Sequence, residues 1–436
     1  MSNTKTTDVG KMVGVLQVAK SDKLKEILPL HRTWVESGGK KGKRADLSKL
    51  DFGTADLRDH YLRGADLHDS DLSRTTGLIE QQLAGTNLCR AKLPDDIGVF
   101  HGLSHVEAES KGATKLFIAL ILACAYSALT IFSTDDGRLL TNSASSPLPI
   151  IGTAIPIVGF FYIAPVILAG IFLYFHLNLL RMWESLADLP AVFPDGKSLD
   201  KRANPWLFTG LVRSYMPELK KNRPPMSRLQ GGIAIVTGWW TVPLTIMIFW
   251  LWYLRRHDWL GTAIQIAALL LCTGFACWFH QLAKATLQGK PPVWIMPRFN
   301  RSSWLPYLAP RNYALNPVVV TLALFAVSSL VSFGAINGTT GWTKSLFLQG
   351  EQSLPVCPGT NNPYMEGEYE QIRRVVPRIM EHVGLRAFSD ITWREVSIKP
   401  DNWSDTPESL RFVKGPRFVL PDLRFLIASN TFLAGC

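Results

Sequence analysis

The sequence predicts a mixed fold in two parts, a short solenoid near the N-terminus and an α-helical transmembrane bundle of about five spans. Three observations support this prediction. Large apolar residues recur every fifth position, five long segments lack internal charges, and the 436-residue chain is 47% hydrophobic but only 19% charged. This composition excludes an intrinsically disordered chain and a small secreted domain held together by disulfides.

The solenoid prediction rests on ten five-residue units between Ala45 and Pro94, with one residue inserted after Leu72. A period of five fits neither an α-helix, at about 3.6 residues per turn, nor a strand, whose side chains alternate. A four-sided coil with one unit on each side would turn every large residue inward. The predicted core therefore contains Leu47, Phe52, Leu57, Leu62, Leu67, Leu72, Leu78, Leu83, Leu88 and Leu93.

The units ADLSK, ADLRD and ADLHD resemble those of the pentapeptide-repeat family, which carry the pattern A(D/N)LXX. The resemblance implies a right-handed quadrilateral β-helix over residues 45–94. Within residues 1–44, apolar residues at helical spacing before Gly38 and Gly39 predict a capping helix, in which Pro29 should cause a kink. An amphipathic helix on the membrane surface is the alternative, because a basic run follows at residues 40–44.

The membrane prediction covers residues 115–336, which a linker at 95–114 joins to the repeat array. Its expected spans are about 115–132, 155–180, 233–254, 260–279 and 318–336. The loop at 181–232 carries 9 Lys and Arg residues, and the loop at 280–313 carries 5. The positive-inside rule therefore places these loops and the N-terminal domain in the cytoplasm. An odd number of spans then places the C-terminal region outside.

The C-terminal prediction has two parts, a small soluble α+β region at 337–415 and the start of a second repeat array at 416–436. Phe418, Leu423 and Leu433 keep the five-residue register up to the last residue, Cys436. A single coil would leave an apolar end open, so we expect either a truncated chain or a partner subunit that covers this end. The wider sequence resembles a group of bacterial pentapeptide-repeat membrane proteins, which implies the bacterial cytoplasmic membrane but no biochemical activity.

Catalytic and ligand-binding motifs are absent from the sequence. The 6 Cys residues form no CxxC pair, and no HExxH, GxSxG, Walker or dinucleotide-binding motif occurs. We therefore predict that the protein is not an enzyme and has no cofactor, catalytic residue or metal site. A speculative membrane site consists of Pro147, Pro149 and Pro156, which interrupt an apolar stretch, and of His176 within the second span.

The predicted function is a protein-interaction scaffold that displays the array on an integral membrane protein. Its partners would be the lipid bilayer and a protein that the outward side chains of the array bind. Association of the chain with copies of itself is a further possibility. Nucleic acid is not expected, because the array carries 8 acidic against 6 basic residues and is too short to imitate DNA. The alternative is a pore- or channel-like membrane effector with the repeat domain as a sensor or an assembly module. The outward side chains in question are Asp46, Arg58, Arg63, Asp66, Asp69 and Arg74.

Overall fold

The computed structural model describes residues 26–37, 41–58, 60–97, 100–141, 145–147, 154–203, 206–220, 224–289 and 317–337. They divide into two compact units. Unit 1 takes its described residues from Met1–Ala119, Leu173–Trp240 and Ala276–Pro310. Unit 2 takes them from Leu120–Phe172, Thr241–Phe275 and Arg311–Cys436. The predicted second array lies outside the described residues, as does the predicted soluble region apart from Asn337.

Helices make up most of the described chain. Helix α1 covers residues 26–36, where the capping helix was predicted, and includes Pro29. The other α-helices are α2 (Gly102–Ser133), α3 (Asp136–Thr141), α4 (Ile157–Ala187), α5 (Leu199–Arg202), α6 (Val212–Tyr215), α7 (Ser227–Ile235), α8 (Thr241–Tyr253), α9 (Trp259–Leu287) and α10 (Pro317–Asn337). A π-helical turn, Val236–Trp240, joins α7 to α8. Short 3-10 helices occur at Glu80–Leu83, Asp95–Ile97, Thr209–Leu211 and Leu254–Arg256. The strands β1 (Ser145–Pro147) and β2 (Ala154–Pro156) pair antiparallel.

The predicted β-helix at 45–94 is wrong, because no described residue of this array belongs to a β-strand. Its residues instead form turns, which are connected by isolated parallel bridges such as Asp46 with Asp66 and Asp66 with Asn87. Each bridge between two array residues joins positions that are 20 or 21 residues apart in the chain. Turns separate the bridged residues, so no side of the coil is long enough for the continuous ladder of a strand.

The loop between α4 and α5 stacks against one end of the array within unit 1. The N–H groups of Gly85 and Leu88 donate to the carbonyls of Leu189 and Val192 at 2.8 and 2.9 Å. Val192 also forms a parallel bridge with Asn87. The loop therefore continues the hydrogen bonding of the repeats and satisfies backbone groups that an open end would leave to water.

The core of unit 1 outside the array is a cluster of aromatic rings around Phe208. The ring centroid of Phe208 lies 5.2 Å from that of Phe117 and 5.8 Å from that of Trp239. Gly238 lies in the π-helical turn beside this ring, and a Cβ at that position would come within 2.4 Å of Phe208 Cε1. Only glycine therefore allows the turn to approach Phe208 this closely.

Unit 2 combines an aromatic core with buried polar contacts. Phe161 packs between Phe249 and Tyr253, with ring centroids 5.5 Å from each. The buried guanidinium of Arg255 donates to Asp136 at 2.8 Å and lies over the Trp252 ring, 3.9 Å from its centroid. The charges of Arg255 and Asp136, which lie 119 positions apart in the chain, thus neutralise each other.

Five helical segments are long and apolar enough to cross a membrane. They lie in α2, in α4, in the α7–α8 segment Ser227–Arg256, in α9 and in α10. Several large apolar side chains on them are exposed, among them Leu129, Leu260 and Leu322. Exposed apolar residues on long helices suit a lipid environment, so these helices fit a multi-pass membrane protein.

Candidate interaction surface on the repeat array

The predicted core residues of the array point inward. Nine of them are buried, and Leu93 is half-buried. The preceding small residues Ala45, Ala65 and Ser70 are also buried, and the Ser70 hydroxyl donates to the Leu67 carbonyl at 2.7 Å. Close packing of large and small side chains therefore fixes the position of the outer residues.

An aspartate precedes five of the ten core residues and stabilises the turn that follows it. The carboxylate of Asp46 accepts hydrogen bonds from the Ser48 N–H at 3.2 Å and from its hydroxyl at 2.6 Å. Asp71 accepts the equivalent bonds from Ser73 at 3.1 and 2.6 Å. These hydroxyl and N–H donors favour the charged form and hold the pKa of both carboxyl groups below its usual range. Aspartate at this position is therefore a turn-forming residue.

Asp66, another predicted recognition residue, is also engaged within the array. Its carboxylate lies 2.8 Å from His68 Nδ1 and accepts a bond from the Asn87 side chain at 3.1 Å. Asp69 forms an ion pair with Arg90 of the next layer at 2.6 Å. Both carboxylates thus hold layers or turns together rather than standing free for a partner.

Two of the three predicted recognition arginines project from the array. Their side chains are 72% exposed for Arg58 and 65% for Arg74, and each lies 3.5 Å from one carboxylate, that of Asp56 and of Asp51 respectively. Exposed ion pairs of this length are weak and easily exchanged. Of the six predicted recognition residues, Arg58 and Arg74 are therefore the ones that a partner reaches most easily.

Arg63 lies elsewhere than predicted. It is half-buried, and its Nη2 donates to the Ala187 carbonyl at the end of α4 at 3.1 Å. Arg44 is similarly buried against Glu218, with which it forms an ion pair. The sequence analysis missed this second contact, because Arg44 reads only as the last residue of a basic run and Glu218 lies 174 residues away.

Helix α1 contacts the first coil through a buried histidine. The Nδ1 atom of His31 accepts from the Ala45 N–H at 3.1 Å, and its Nε2 lies 3.0 Å from the Arg63 carbonyl. With Nδ1 as acceptor, Nε2 carries the proton and the ring is neutral. Burial is the largest cause that lowers the pKa of His31 from its ordinary value.

The structure describes three of the four speculative membrane residues. His176 is buried in unit 1, where its ring stacks on Phe279 with centroids 5.0 Å apart. Pro147 and Pro156 lie in the short strands β1 and β2 of unit 2, and Pro149 lies outside the described residues.

Metal ligands do not cluster in the part of the chain that the structure describes, where no group of three or more His, Cys, Asp or Glu residues is placed to hold an ion. The described cysteines are free thiols, namely Cys89, Cys124, Cys272 and Cys277.

Comparison with known proteins identifies the array. The family described as "Pentapeptide repeats (8 copies)" matches residues 43–76. No curated protein and no solved structure matches the chain. The protein thus carries pentapeptide repeats at residues 43–76, together with five helices long and apolar enough to span a membrane.

Proposed function

We propose that the protein is a non-enzymatic scaffold of the bacterial cytoplasmic membrane whose repeat array binds another protein on the cytoplasmic side. The observation that carries this proposal is the packed array, whose surface exposes Arg58 and Arg74 next to weak ion pairs. Repeat proteins commonly bind partners through such fixed outer surfaces, because binding then orders few additional groups.

The contact between the array and the loop after α4 supports the proposed topology. Hydrogen bonds from Gly85 and Leu88 to this loop require both segments to lie on the same side of a membrane. Two candidate spans, in α2 and α4, separate them along the chain, so the chain would leave and return to that side. The loop at 181–232 carries 9 Lys and Arg residues, which favours the cytoplasm.

The ion pair between Arg255 and Asp136 in unit 2 agrees with the same arrangement of candidate spans. Arg255 precedes α9, and Asp136 follows α2, so their ion pair joins two loops that would both lie at the opposite side. Because Arg255 is buried and paired with Asp136, it adds little free positive charge to that side.

The test is site-specific photocrosslinking in native membranes, with a photoreactive residue in place of Arg58 or Arg74. Leu260 is the control position, because it is exposed on a candidate span and would face lipid. We expect a defined protein adduct from both array positions and none from position 260. Arg58→Glu and Arg74→Glu should reduce copurification of the captured protein by about tenfold together, since each removes one exposed cation.

Identical adducts from all three positions would refute the proposal that the array is a binding scaffold. Copurification that is unchanged by both charge reversals would refute it as well. The topology is tested separately by reporter fusions after Asn222 and after His257. Cytoplasmic activity of the first and external activity of the second are expected, and the reverse pattern would refute the orientation.

A further inference from the structure

A cavity of about 310 Å³ lies within unit 1. Trp34 of α1 and Gly64 of the array form part of its wall, and Tyr215 at the end of α6 forms another part. The last residues of two candidate spans, Ala187 of α4 and Leu287 of α9, complete it. Its volume lies at the lower end of the range for small-ligand sites, so it suits a compact group.

The lining of this cavity is positively charged. Arg44, Arg63 and Lys220 line it, and Glu218 is the one acidic residue among its lining residues. Asp188 lies beside the cavity, 3.6 Å from Arg63. Three basic side chains against the carboxylates of Glu218 and Asp188 leave a net charge of +1 at the cavity, which favours an anionic ligand.

Two of the basic groups have hydrogen-bonding capacity left. Arg44 Nε donates to the Gly64 carbonyl at 2.8 Å, and its Nη1 pairs with Glu218. Its Nη2 is buried and has no hydrogen-bond partner in the described part of the chain. A buried donor left without an acceptor is costly, so the Arg44 guanidinium keeps capacity for one further acceptor.

Lys220 supplies a second open donor. Its ammonium group forms no ion pair with the described carboxylates, although the side chain lines the cavity. Tyr215 also lines the cavity and stays neutral at physiological pH, because burial raises the pKa of its hydroxyl to about 12. The cavity thus offers positive charge and neutral aromatic surface together.

We propose that this cavity binds a phosphate group, carried either by an anionic lipid headgroup or by a soluble phosphate compound. Guanidinium and ammonium donors around a small cavity match the several acceptor oxygens of phosphate. Along α4, Ala187 lies ~10 Å beyond Leu180, where the predicted apolar stretch ends. The headgroup layer extends ~5–8 Å from the hydrocarbon, so the cavity would lie a few ångströms beyond its outer edge, within reach of a protruding lipid headgroup and open to a soluble phosphate compound. This site is independent of partner binding by the array.

The experiment measures binding to the purified full-length protein in detergent by two methods. Titration calorimetry follows inorganic phosphate, and native mass spectrometry follows retention of phosphatidylglycerol against phosphatidylcholine. Lys220→Gln is the main variant, because it removes a cation without breaking an ion pair between described residues. Arg74→Gln is the matched control, since it removes the same charge from the array outside the cavity.

We expect Lys220→Gln to weaken binding by about tenfold, the effect of one charge-assisted hydrogen bond, and Lys220→Arg to restore it. Arg74→Gln should change binding by less than about twofold. Retention of phosphatidylglycerol without phosphate binding assigns the site to the lipid headgroup, and the reverse assigns it to a soluble compound. Absence of both, or equal loss in Lys220→Gln and Arg74→Gln, overturns the proposal.

Discussion

Leu67→Ala tests whether the five-residue repeat is held together by its inward leucines. Leu67 is 0% exposed, and its N–H donates to the Asn87 carbonyl in the next layer at 3.0 Å. The substitution removes three carbon atoms, which at about 0.8 kcal/mol each contribute about 2.4 kcal/mol of transfer free energy. The cavity left between layers raises the expected loss of stability to about 3 kcal/mol.

Hydrogen exchange of the full-length protein in detergent measures this loss in the array itself. A decrease of about 3 kcal/mol corresponds to a roughly 100-fold drop in the protection of amides such as those of Leu57 and Leu72, which donate to carbonyls of other layers. Ile79→Ala is the control, because that side chain is 53% exposed and its removal should change protection by about twofold at most. Equal protection in Leu67→Ala and Ile79→Ala would show that the leucines do not support the layers.

Three further predictions concern other contacts. Gly238→Ala should lower the free energy of unfolding by about 1–3 kcal/mol, because its Cβ would overlap Phe208, whereas Gly232→Ala has open space and should not destabilise the protein in thermal unfolding. Burial lowers the pKa of His31, so the histidine of the unfolded chain is protonated first as the pH falls below about 6.5, and the folded state loses stability. In hydrogen exchange, protection of the Ala45 amide should therefore decrease with falling pH. The variant His31→Gln should lose this pH dependence. Arg255→Met should lower the free energy of unfolding by about 3–5 kcal/mol, because it leaves Asp136 buried without its cation. The double variant Arg255→Met with Asp136→Leu should recover most of that loss in chemical unfolding. A double variant as unstable as the single one would refute the pairing argument.

The sequence predicts the repeat array only in part. Leucines at every fifth position predict which side chains face inward, and the buried Leu47 and Leu88 lie where that period places them. The step from this period to a β-helix is wrong, because each bridge involves a single pair of residues between turns. A side-chain period constrains which residues are inside but not how many consecutive backbone groups pair.

Contacts between distant segments could not be predicted from the sequence. Arg63 follows a core leucine and resembles any other outward residue, yet it donates to Ala187, 124 positions later. The role of Asp46 and Asp71 in the turns was also missed, although aspartate two residues before an N–H group is a common turn-forming arrangement. In neither case does the five-residue period specify the partner of the hydrogen bond.

The loop that stacks on the array also limits how copies of this protein can associate. Gly85, Leu88 and Arg90 have their N–H groups occupied by carbonyls of Leu189, Val192 and Pro194. Unpaired main-chain donors at the end of such a stack would template the addition of another chain, as they do in fibrils. Because the loop of the same chain occupies these donors, a second copy has no free N–H groups of Gly85, Leu88 or Arg90 on which to stack.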